Sequence, residues 1–353
     1  MSHAPQNLKR TILIGAAITV ATLAAAAVPA SATEHAGPKT PVGFTVKAFA
    51  AVGAESSPDD ITALGNSIFV TFQNGVGPMG EPAPSGTTAS TIQQYALDGT
   101  AGKSWQVEGK VDGLSADPAT HRLLLATNED GNTAFSTLTP NQKRPLKKYT
   151  YAGLTHGGGT DAISVFHGQI LISASAPANT SGPAVYVVHL GSTMANLTPV
   201  FSDHASAIVA NVRQGAQKVT LAVTDPDSNT VVPAASPRFK GDFMLDSQGD
   251  KQLIFTNTPR ASKAPLRVLN VTQPLDDTAF AASSKQTLWV SDPTHNVLYA
   301  VTGPFKAGQV LSSVTPEVGR SYLANLNLND GTLTPVKELA AIQPKGLLFS
   351  DPR

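Results

Sequence analysis

The stretch TLWVSDPTHNVLY, residues 287–299, sets a pattern that recurs along most of the chain. It joins an apolar run of strand-forming residues to a polar turn and then to a second alternating run. Similar units follow one another at intervals of about 35 to 50 residues, and none shows the 3.6-residue period of an amphipathic helix. The spacing therefore predicts a chain of small antiparallel sheets.

Repeats of this kind predict an all-β fold, a β-propeller, because no blade can bury both of its faces until neighbours stack around an axis. We favour six blades, with seven or five left open, and a double β-sandwich as the alternative fold. A lone final strand at residues 345–350 predicts that the C-terminal strand shares one blade with an N-terminal strand at residues 43–51 and closes the ring. The apolar runs that we assign to second strands lie at Ile68, Leu123, Ile170, Leu221, Leu253 and Leu288.

The composition excludes several classes of function. The 353 residues include no cysteine, which excludes disulfides, thiolate metal sites and cysteine nucleophiles. Basic and acidic residues are equal in number, at 25 each, so the chain lacks the basic excess that nucleic acids or membrane surfaces attract. We therefore expect neither partner for the mature protein, which we expect to be a monomer.

The N-terminus has the three parts of a secretory signal peptide. Lys9 and Arg10 precede an apolar, Ala-rich run at residues 12–28, and Ala30-Ser31-Ala32 supplies small residues at a cleavage site. We expect cleavage after Ala32 and a secreted, extracellular or cell-envelope protein; an uncleaved membrane anchor is the alternative. The predicted organisation is a signal peptide at 1–32, a flexible lead at 33–42 and one propeller domain at 43–353.

Two stretches carry a resemblance to a known group of proteins. The runs LWVSDPTHNVLYAV (288–301) and PKGLLFSDP (344–352), with a Gly or Asp before each first strand, resemble secreted members of the six-bladed superfamily that includes SMP-30/gluconolactonase-like and NHL-repeat proteins. The resemblance implies a six-bladed fold. Enzymes of that group hold a divalent metal on the axis with an acid and amides, but no residue set here matches those ligands one by one.

The lengths of the predicted connections differ between the two faces of the propeller. First-to-second connections are tight, whereas second-to-third connections are mostly long and polar, for example residues 73–90 and 292–296. Variable loops on one face of a rigid scaffold are where binding sites are usually built. We therefore expect a small ligand, a glycan or a protein to bind this loop-rich face. The candidate ligand-binding residues are Asn128, His156, Asp292 and His295.

An acidic residue precedes the apolar part of nearly every predicted innermost strand, and Lys345 takes that place in the last copy. Clustered carboxylates suit a hard divalent cation, Ca²⁺ above all. The alternative is that each aspartate bonds backbone N–H groups of its own turn. The candidate metal ligands are Asp60, Asp112, Asp161, Asp242 and Asp277.

One further segment resembles a calcium loop. Asp225-Pro-Asp227-Ser-Asn229 starts with the D-x-D-x-N spacing, but Thr230 and Ser236 occupy the positions at which an EF-hand has Gly and Glu. We therefore interpret it as a polar turn.

Three functions remain open from the sequence. The first is an exported propeller that binds a ligand through the loop-rich face, with or without an axial cation. The second is a metal-dependent hydrolase or lactonase of the SMP-30-like kind, in which an axial cation activates water. The third is a structural protein of the cell envelope whose cation only stiffens the ring. The enzyme requires a cleft beside a metal with open coordination positions, whereas the structural protein requires a closed site.

Overall fold

The computed structural model describes residues 43–50, 55–155, 158–176, 181–259 and 266–351. These residues form β-strands joined by turns, with two short 3₁₀ helices at Val212–Gln214 and Lys337–Leu339. The predicted signal peptide and flexible lead lie outside the described residues, so their assignments stay predictions. The described residues belong to one compact unit.

The first three blades are four-stranded antiparallel meanders, each built from consecutive strands. Their innermost strands are followed by tight turns, as the sequence predicts at Gly65, Thr120 and Gly168. After the N-terminal strand β1 (Thr45–Ala50), the strands are β2 (Pro58–Leu64), β3 (Ser67–Phe72), β4 (Ala89–Ala96) and β5 (Ala101–Glu108); β6 (Val111–Asp117), β7 (Arg122–Thr127), β8 (Ala134–Leu138) and β9 (Leu146–Ala152); β10 (Thr160–Phe166), β11 (Gln169–Ala174), β12 (Pro183–Leu190) and β13 (Met194–Ser202).

The fourth blade carries two additional strands on its outer side. Its four antiparallel strands follow an outer hairpin, and that hairpin pairs in parallel with the blade's last strand. The hairpin is β14 (Ser206–Val209) and β15 (Lys218–Thr220), and the blade is β16 (Pro226–Val231), β17 (Phe243–Ser247), β18 (Gln252–Thr256) and β19 (Leu266–Asn270).

The last two blades are interlaced in sequence. The fifth consists of β20 (Leu275–Phe280), β23 (Val310–Val314), β24 (Tyr322–Leu326) and β25 (Leu333–Pro335). The sixth combines β21 (Thr287–Asp292) and β22 (Val297–Thr302) with β26 (Leu347–Ser350) inside and β1 outside. The all-β propeller, closed by strands from both ends of the domain, is thus confirmed.

Two predicted second strands were wrong. Leu221 follows the outer strand β15, and Leu253 lies in β18, the third strand of its blade. The segment that we interpreted as a turn, Asp225 to Asn229, contains the start of the innermost strand β16. The apolar signal is the same for second and third strands because both are buried on two faces, so it cannot tell one from the other.

Apolar side chains fill the wedges between neighbouring blades. Phe166 of the third blade and Phe243 of the fourth are fully buried, with ring centroids 6.1 Å apart. Burial of each such ring contributes roughly 2 to 3 kcal/mol relative to exposure. The blades are thereby fixed against one another, and the starts of their innermost strands are held around one axis.

Candidate functional site: an acidic pocket on the axis

A β-bulge interrupts the start of the innermost strand in each of the first five blades. The register between innermost and second strand shifts by one residue there, so the innermost strand has one more residue than its partner. Bulges redirect side chains, and here the affected residues include Asp59 and Asp60 in β2, Asp112 in β6 and Asp161 in β10. Carboxylates from separate blades therefore point to a common region.

That region is a small pocket of about 30 Å³ at the loop-rich end of the axis. Four of the five predicted metal ligands line it, together with Lys345. The volume has room for one small ion or one or two water molecules, and excludes an organic ligand. The charged residues that line it are Asp59, Asp60, Asp112, Glu129, Asp161, Asp227, Asp276, Asp277 and Lys345.

Two of the aspartates connect neighbouring blades. Asp60 Oδ2 accepts a hydrogen bond from the backbone N–H of Leu114 at 2.7 Å, and Asp277 Oδ2 accepts one from Leu347 N–H at 2.6 Å. The predicted alternative was that each aspartate bonds backbone N–H groups of its own turn; within the described residues only Asp277 makes such a bond, from Thr278 N–H to Oδ1 at 2.6 Å. The main partners of Asp60 and Asp277 belong to the next blade, so each bond ties two innermost strands together.

One side of the pocket is partly neutralised by lysine. Lys110 Nζ lies 2.7 Å from Asp112 Oδ1 and also pairs with Glu129. Lys345 Nζ lies 3.2 Å from Asp59 Oδ1. The other carboxylate oxygen of Asp112, Oδ2, is buried and has no hydrogen-bond partner among the described residues. A buried acceptor without a donor is costly, and it marks a position where a cation would be stabilised.

The opposite side of the pocket lacks lysine contacts. Within the described residues, no Lys or Arg forms an ion pair with Asp161, Asp227 or Asp276. The Gln248 amide Nε2 lies 3.3 Å from Asp227 Oδ2 and 3.4 Å from Asp276 Oδ1, which gives each only a long hydrogen bond. Negative charge therefore accumulates on the side formed by the third, fourth and fifth blades.

Burial shifts the ionisation of the carboxyl groups. Desolvation raises the pKa of Asp112 to about 7, and the nearby Glu129 carboxylate adds to the effect. Desolvation also raises the pKa of Asp277 to about 7, although two backbone N–H bonds oppose it. The pKa values of Asp161 and Asp227 are raised well above the usual range by burial and then by neighbouring carboxylates. Burial and mutual repulsion therefore favour the protonated forms of these carboxyl groups, and a bound cation would oppose that effect.

The donors suit a hard cation, but they do not form a finished metal site. All of them are carboxylate oxygens, which Ca²⁺ and Mg²⁺ prefer. As the side chains are placed, no three or more His, Asp or Glu among the described residues have the arrangement of a metal-ligand group. The role of the aspartates as metal ligands therefore stays a prediction.

Asp242 does not belong to this pocket, so its predicted place at the start of an innermost strand is wrong. It precedes β17, the second strand of the fourth blade, at the end of the blade where Phe243 pairs with Val231. Its carboxylate pairs with Arg267. The innermost strand of that blade is β16, and Asp227 takes the position that we gave to Asp242.

The predicted ligand-binding residues on the loops fall into three cases. Asn128 is mostly buried, and its side chain organises its own loop: Oδ1 accepts from Lys110 N–H at 2.9 Å and Nδ2 donates to Asn132 O at 3.1 Å. It thereby holds the backbone that carries Lys110 into the pocket. His156 lies outside the described residues. The ligand-binding roles of both stay predictions.

Asp292 and His295 form a pair in the turn between β21 and β22. The Asp292 side chain is fully buried; its Oδ2 lies 2.7 Å from His295 Nδ1 and accepts from Gln343 N–H at 2.9 Å. Its Oδ1 accepts from His295 N–H at 3.0 Å. The imidazole itself is 45% exposed. These bonds define the turn, and a ligand role for the pair stays a prediction.

A cleft of about 460 Å³ adjoins the acidic pocket on the loop-rich face. It shares Asp276 and Lys345 with the pocket, and Gln248 lies on the boundary. The volume is in the range of small-molecule sites. Its other polar residues are Asp225, Lys251, Thr294, Thr315, Glu317, Ser321 and Gln343.

Sequence reasoning missed several pocket residues. Asp59 and Asp276 are the first residues of the Asp-Asp pairs in β2 and β20. Two adjacent acids at the start of an innermost strand were the sequence signal for the extra residue of a bulge. Asp227 was seen only as part of a polar turn. Lys110 and Glu129 lie in short connections with no motif, so no sequence signal pointed to them.

Comparisons with known proteins find similar folds among solved structures. No family model matches the sequence. No curated protein matches it. Among solved structures, the chain is similar to a structural genomics protein of unknown function from Bacteroides thetaiotaomicron, at 10% identity and a TM-score of 0.52, over 87% of this chain and 71% of that one. It is also similar to TolB from Acinetobacter baumannii, at 11% identity and a TM-score of 0.50, over 89% and 68% of the two chains.

The structural neighbours are β-propeller-like proteins. The chain is a β-propeller. At this level of identity the likeness shows the fold alone, so the resemblance to SMP-30/gluconolactonase-like and NHL-repeat proteins is supported only as far as the propeller. Separately, none of the helices in the described residues has the length and apolar character needed to span a membrane.

Proposed function

We propose that this propeller binds a small divalent cation, Ca²⁺ by preference, in the axial pocket and uses the adjoining cleft to bind a polar ligand. The observation that carries the proposal is the convergence of eight carboxylates, from five blades and one loop, on a pocket lined by a single lysine. So many buried acids are unfavourable without a counter-charge. A divalent cation supplies that charge in a volume that fits an ion.

The test is calcium titration by calorimetry, together with thermal unfolding in EDTA and in CaCl₂, on residues 33–353. The double variant Asp161→Asn plus Asp227→Asn removes two carboxylates that lack lysine partners. We expect wild type to bind Ca²⁺ with a rise in melting temperature, because a ligand that binds only the folded state stabilises it. The double variant should lose both the heat signal and the rise.

Asp242→Asn is the matched control. It removes a buried aspartate from the same blade but at the opposite end, where Arg267 is its partner. This variant should be less stable and yet bind Ca²⁺ as wild type does. An absence of calcium binding by wild type, or an equal loss in the Asp242 variant, would contradict the axial site.

A metal-dependent hydrolase of the SMP-30-like kind is the second candidate, and one observation favours it over a purely structural protein. The cleft that shares Asp276 and Lys345 with the pocket would let a substrate reach the cation. A bound cation would polarise a carbonyl or phosphoryl oxygen and lower the pKa of water. Hydrolysis of lactones or phosphoesters that requires the metal and disappears in the Asp161/Asp227 double variant would support it; metal binding without turnover would leave the binding function.

We also propose that the protein is exported, because its N-terminus has the pattern of a secretory signal peptide. Expression of the full chain in a host with a secretory pathway, followed by N-terminal sequencing of the exported protein, tests it directly. We expect a new N-terminus at Thr33; retention of Lys9 and Arg10 in a membrane fraction would indicate the uncleaved anchor.

A further inference from the structure

The outer hairpin of the second blade carries four basic side chains close together, which we call the basic hairpin. They lie in the turn between β8 and β9 and in the first residues of β9, and all four are exposed: Lys143, Arg144, Lys147 and Lys148. Within the described part of the chain, none of them forms an ion pair. Their charge is therefore not neutralised by a described carboxylate in contact with them.

The rest of the second and third blades does not balance this charge. Residues 131–160 and 162–202 contain no Asp or Glu. Asp117, the acid of these two blades at the same end of the ring as the hairpin, already pairs with Arg122 at 3.1 Å. The other acids of the two blades all lie at the loop-rich end, in the axial pocket or beside it: Asp112, Glu129, Asp130 and Asp161.

Strand direction places the tip of the basic hairpin at the end of the ring opposite the acidic pocket. β6 starts at the pocket and the following strands alternate in direction, so the turn between β8 and β9 lies at the far end. These two strands have five and seven residues, which span about 17 to 24 Å. That span is about twice the Debye length of about 8 Å at physiological salt, or more. The two ends therefore act on a partner separately, and the equal totals of acids and bases conceal the difference between them.

The hairpin is held in place before any partner binds. The Thr139 N–H donates to Pro145 O at 2.8 Å and closes the turn, and β9 pairs with the third blade's outer strand from Thr150 onward. Lys147 Nζ lies 4.6 Å from the centre of the Tyr149 ring, which orients it over one face of β9. Lys148 is the next residue of the strand and points to the other face. The charges thus follow the edge of the strand and do not share one plane.

This arrangement distinguishes between anionic partners. A flat bilayer meets one side of the strand, whereas a flexible polymer can follow the edge. Proteins that bind single-stranded nucleic acids without sequence preference stack the bases on aromatic side chains, but Tyr149 is only 4% exposed. The large apolar side chain that is exposed among the four basic ones is Leu146, which suits the C–H faces of sugar rings.

We propose that the basic hairpin binds a linear acidic polysaccharide, whose carboxylate or sulfate groups pair with its lysine and arginine side chains. The guanidinium group of Arg144 can bind such an anion bidentately, and the lysines bind as point charges. The acidic end of the ring repels the same polymer, so the propeller attaches with its loop-rich face turned away from it. The pocket and cleft on that face stay open to solvent, and the attachment does not involve the axial cation.

The test measures the binding of two end-labelled polymers to residues 33–353 by fluorescence anisotropy, in EDTA and about 50 mM NaCl. Polygalacturonate carries carboxylates and heparin also carries sulfates, so the pair identifies the preferred anion. The hairpin variant replaces all four basic residues of the hairpin by Gln. We expect wild type to bind, and the hairpin variant to lose roughly tenfold or more in affinity. Binding by wild type should weaken as NaCl rises, because the contact releases counterions.

The matched control removes the same amount of charge elsewhere on the surface. It replaces four exposed lysines by Gln, none of which forms an ion pair within the described residues: Lys218, Lys285, Lys306 and Lys337. We expect this variant to bind both polymers as wild type does. Both variants should melt close to wild type, since substitutions of exposed side chains change stability little.

The outcomes are distinct. Binding of either polymer that the hairpin variant loses and the control keeps supports the inference. No binding by wild type, or an equal loss in the control, overturns it. Tighter binding of single-stranded DNA of equal charge, or of phosphatidylglycerol vesicles, overturns the assignment to a polysaccharide. Because EDTA removes calcium, none of these outcomes depends on the axial site, and the proposed function stands or fails separately.

Discussion

Lys110 provides the sharpest test of how the acidic pocket is stabilised. Its side chain is only 15% exposed and its ammonium group bridges Asp112 and Glu129, so Lys110→Met leaves these two carboxylates without their shared cation in a poorly solvated space. Removal of one partner from a buried pair typically costs about 3 to 5 kcal/mol. Because the Lys110 side chain retains some contact with solvent, we expect the lower end, about 3 kcal/mol at pH 8. For a domain of this size that corresponds to a fall in melting temperature of roughly 5 °C.

The loss should depend on pH in a known direction. The pKa of Asp112 is about 7 even with Lys110 beside it, and removal of the lysine raises it further. A carboxyl group whose pKa is higher in the folded protein than in the unfolded chain costs stability as the pH rises above the unfolded value. At pH 5 Asp112 can be protonated in the variant, so the difference from wild type should shrink to about 1 kcal/mol.

The assay is urea unfolding followed by circular dichroism at pH 5 and pH 8, in EDTA. Lys251→Met is the matched control because Lys251 pairs with Glu317 at 2.9 Å on the surface, where both side chains are at least 36% exposed. Such an exposed pair contributes about 0.5 kcal/mol or less. A Lys110→Met variant that loses the same free energy at both pH values, or no more than the control, would refute the account of the pocket.

Three further predictions follow from the same structure. In EDTA, wild type should lose stability as the pH rises from about 4 to about 7, because the pKa values of Asp112 and Asp277 are about 7 when folded and about 3.9 when unfolded. In thermal unfolding, CaCl₂ should restore more stability at pH 8 than at pH 5. Gly113→Ala should cost about 2 kcal/mol and weaken calcium binding in calorimetry, since its Cβ would overlap a backbone carbonyl of the third blade's innermost strand. Asp292→Ala should cost about 3 kcal/mol in urea unfolding but His295→Ala under 1, because the buried carboxylate serves two backbone N–H groups while the exposed ring serves none.

The parts of the fold that the sequence predicted correctly depend on local features, namely tight turns and apolar runs. In the first three blades, tight turns at fixed offsets from apolar runs located the innermost and second strands, and Asp60, Asp112 and Asp161 were placed correctly as a result. Asp277 was also placed at the start of an innermost strand, but the strand predicted to follow it in the same blade was wrong: β20 pairs with β23, and β21 is the second strand of the sixth blade. The terminal strand with Lys345 before it was identified because it had no partner nearby in sequence, which is the mark of a shared blade.

The strands of the fourth blade could not be assigned correctly from the sequence because its innermost strand is polar. In β16 the residues Asp227 to Thr230 line the axial pocket and channel, so they carry the composition of a turn. The next strand, β17, is buried on both faces and has the apolar character expected of any strand in the blade. Which strand of a blade is innermost depends on how the strands pair across the sheet. Neither residue propensity nor hydrophobic periodicity reports that pairing. Asp246 shows the limit most clearly: an acid in a buried strand is visible in sequence, but its neighbours in the fifth blade are not.

The acidic residues of this pocket reduce the stability of the fold that positions them. The third blade has Ala162 and Ser173 at the positions that hold Ser228 and Asp246 in the fourth, and both blades form the same bulged meander. The bulge therefore does not require a second-strand acid, and the carboxylate at position 246 adds desolvation and repulsion that a hydroxyl would avoid. Residues that oppose folding are retained where function needs them. The backbone bonds of Asp60 and Asp277 tie neighbouring blades together and so serve assembly of the ring. The negative charge on the side of the third, fourth and fifth blades has no lysine ion pair among the described residues, and the cation that we propose would balance it.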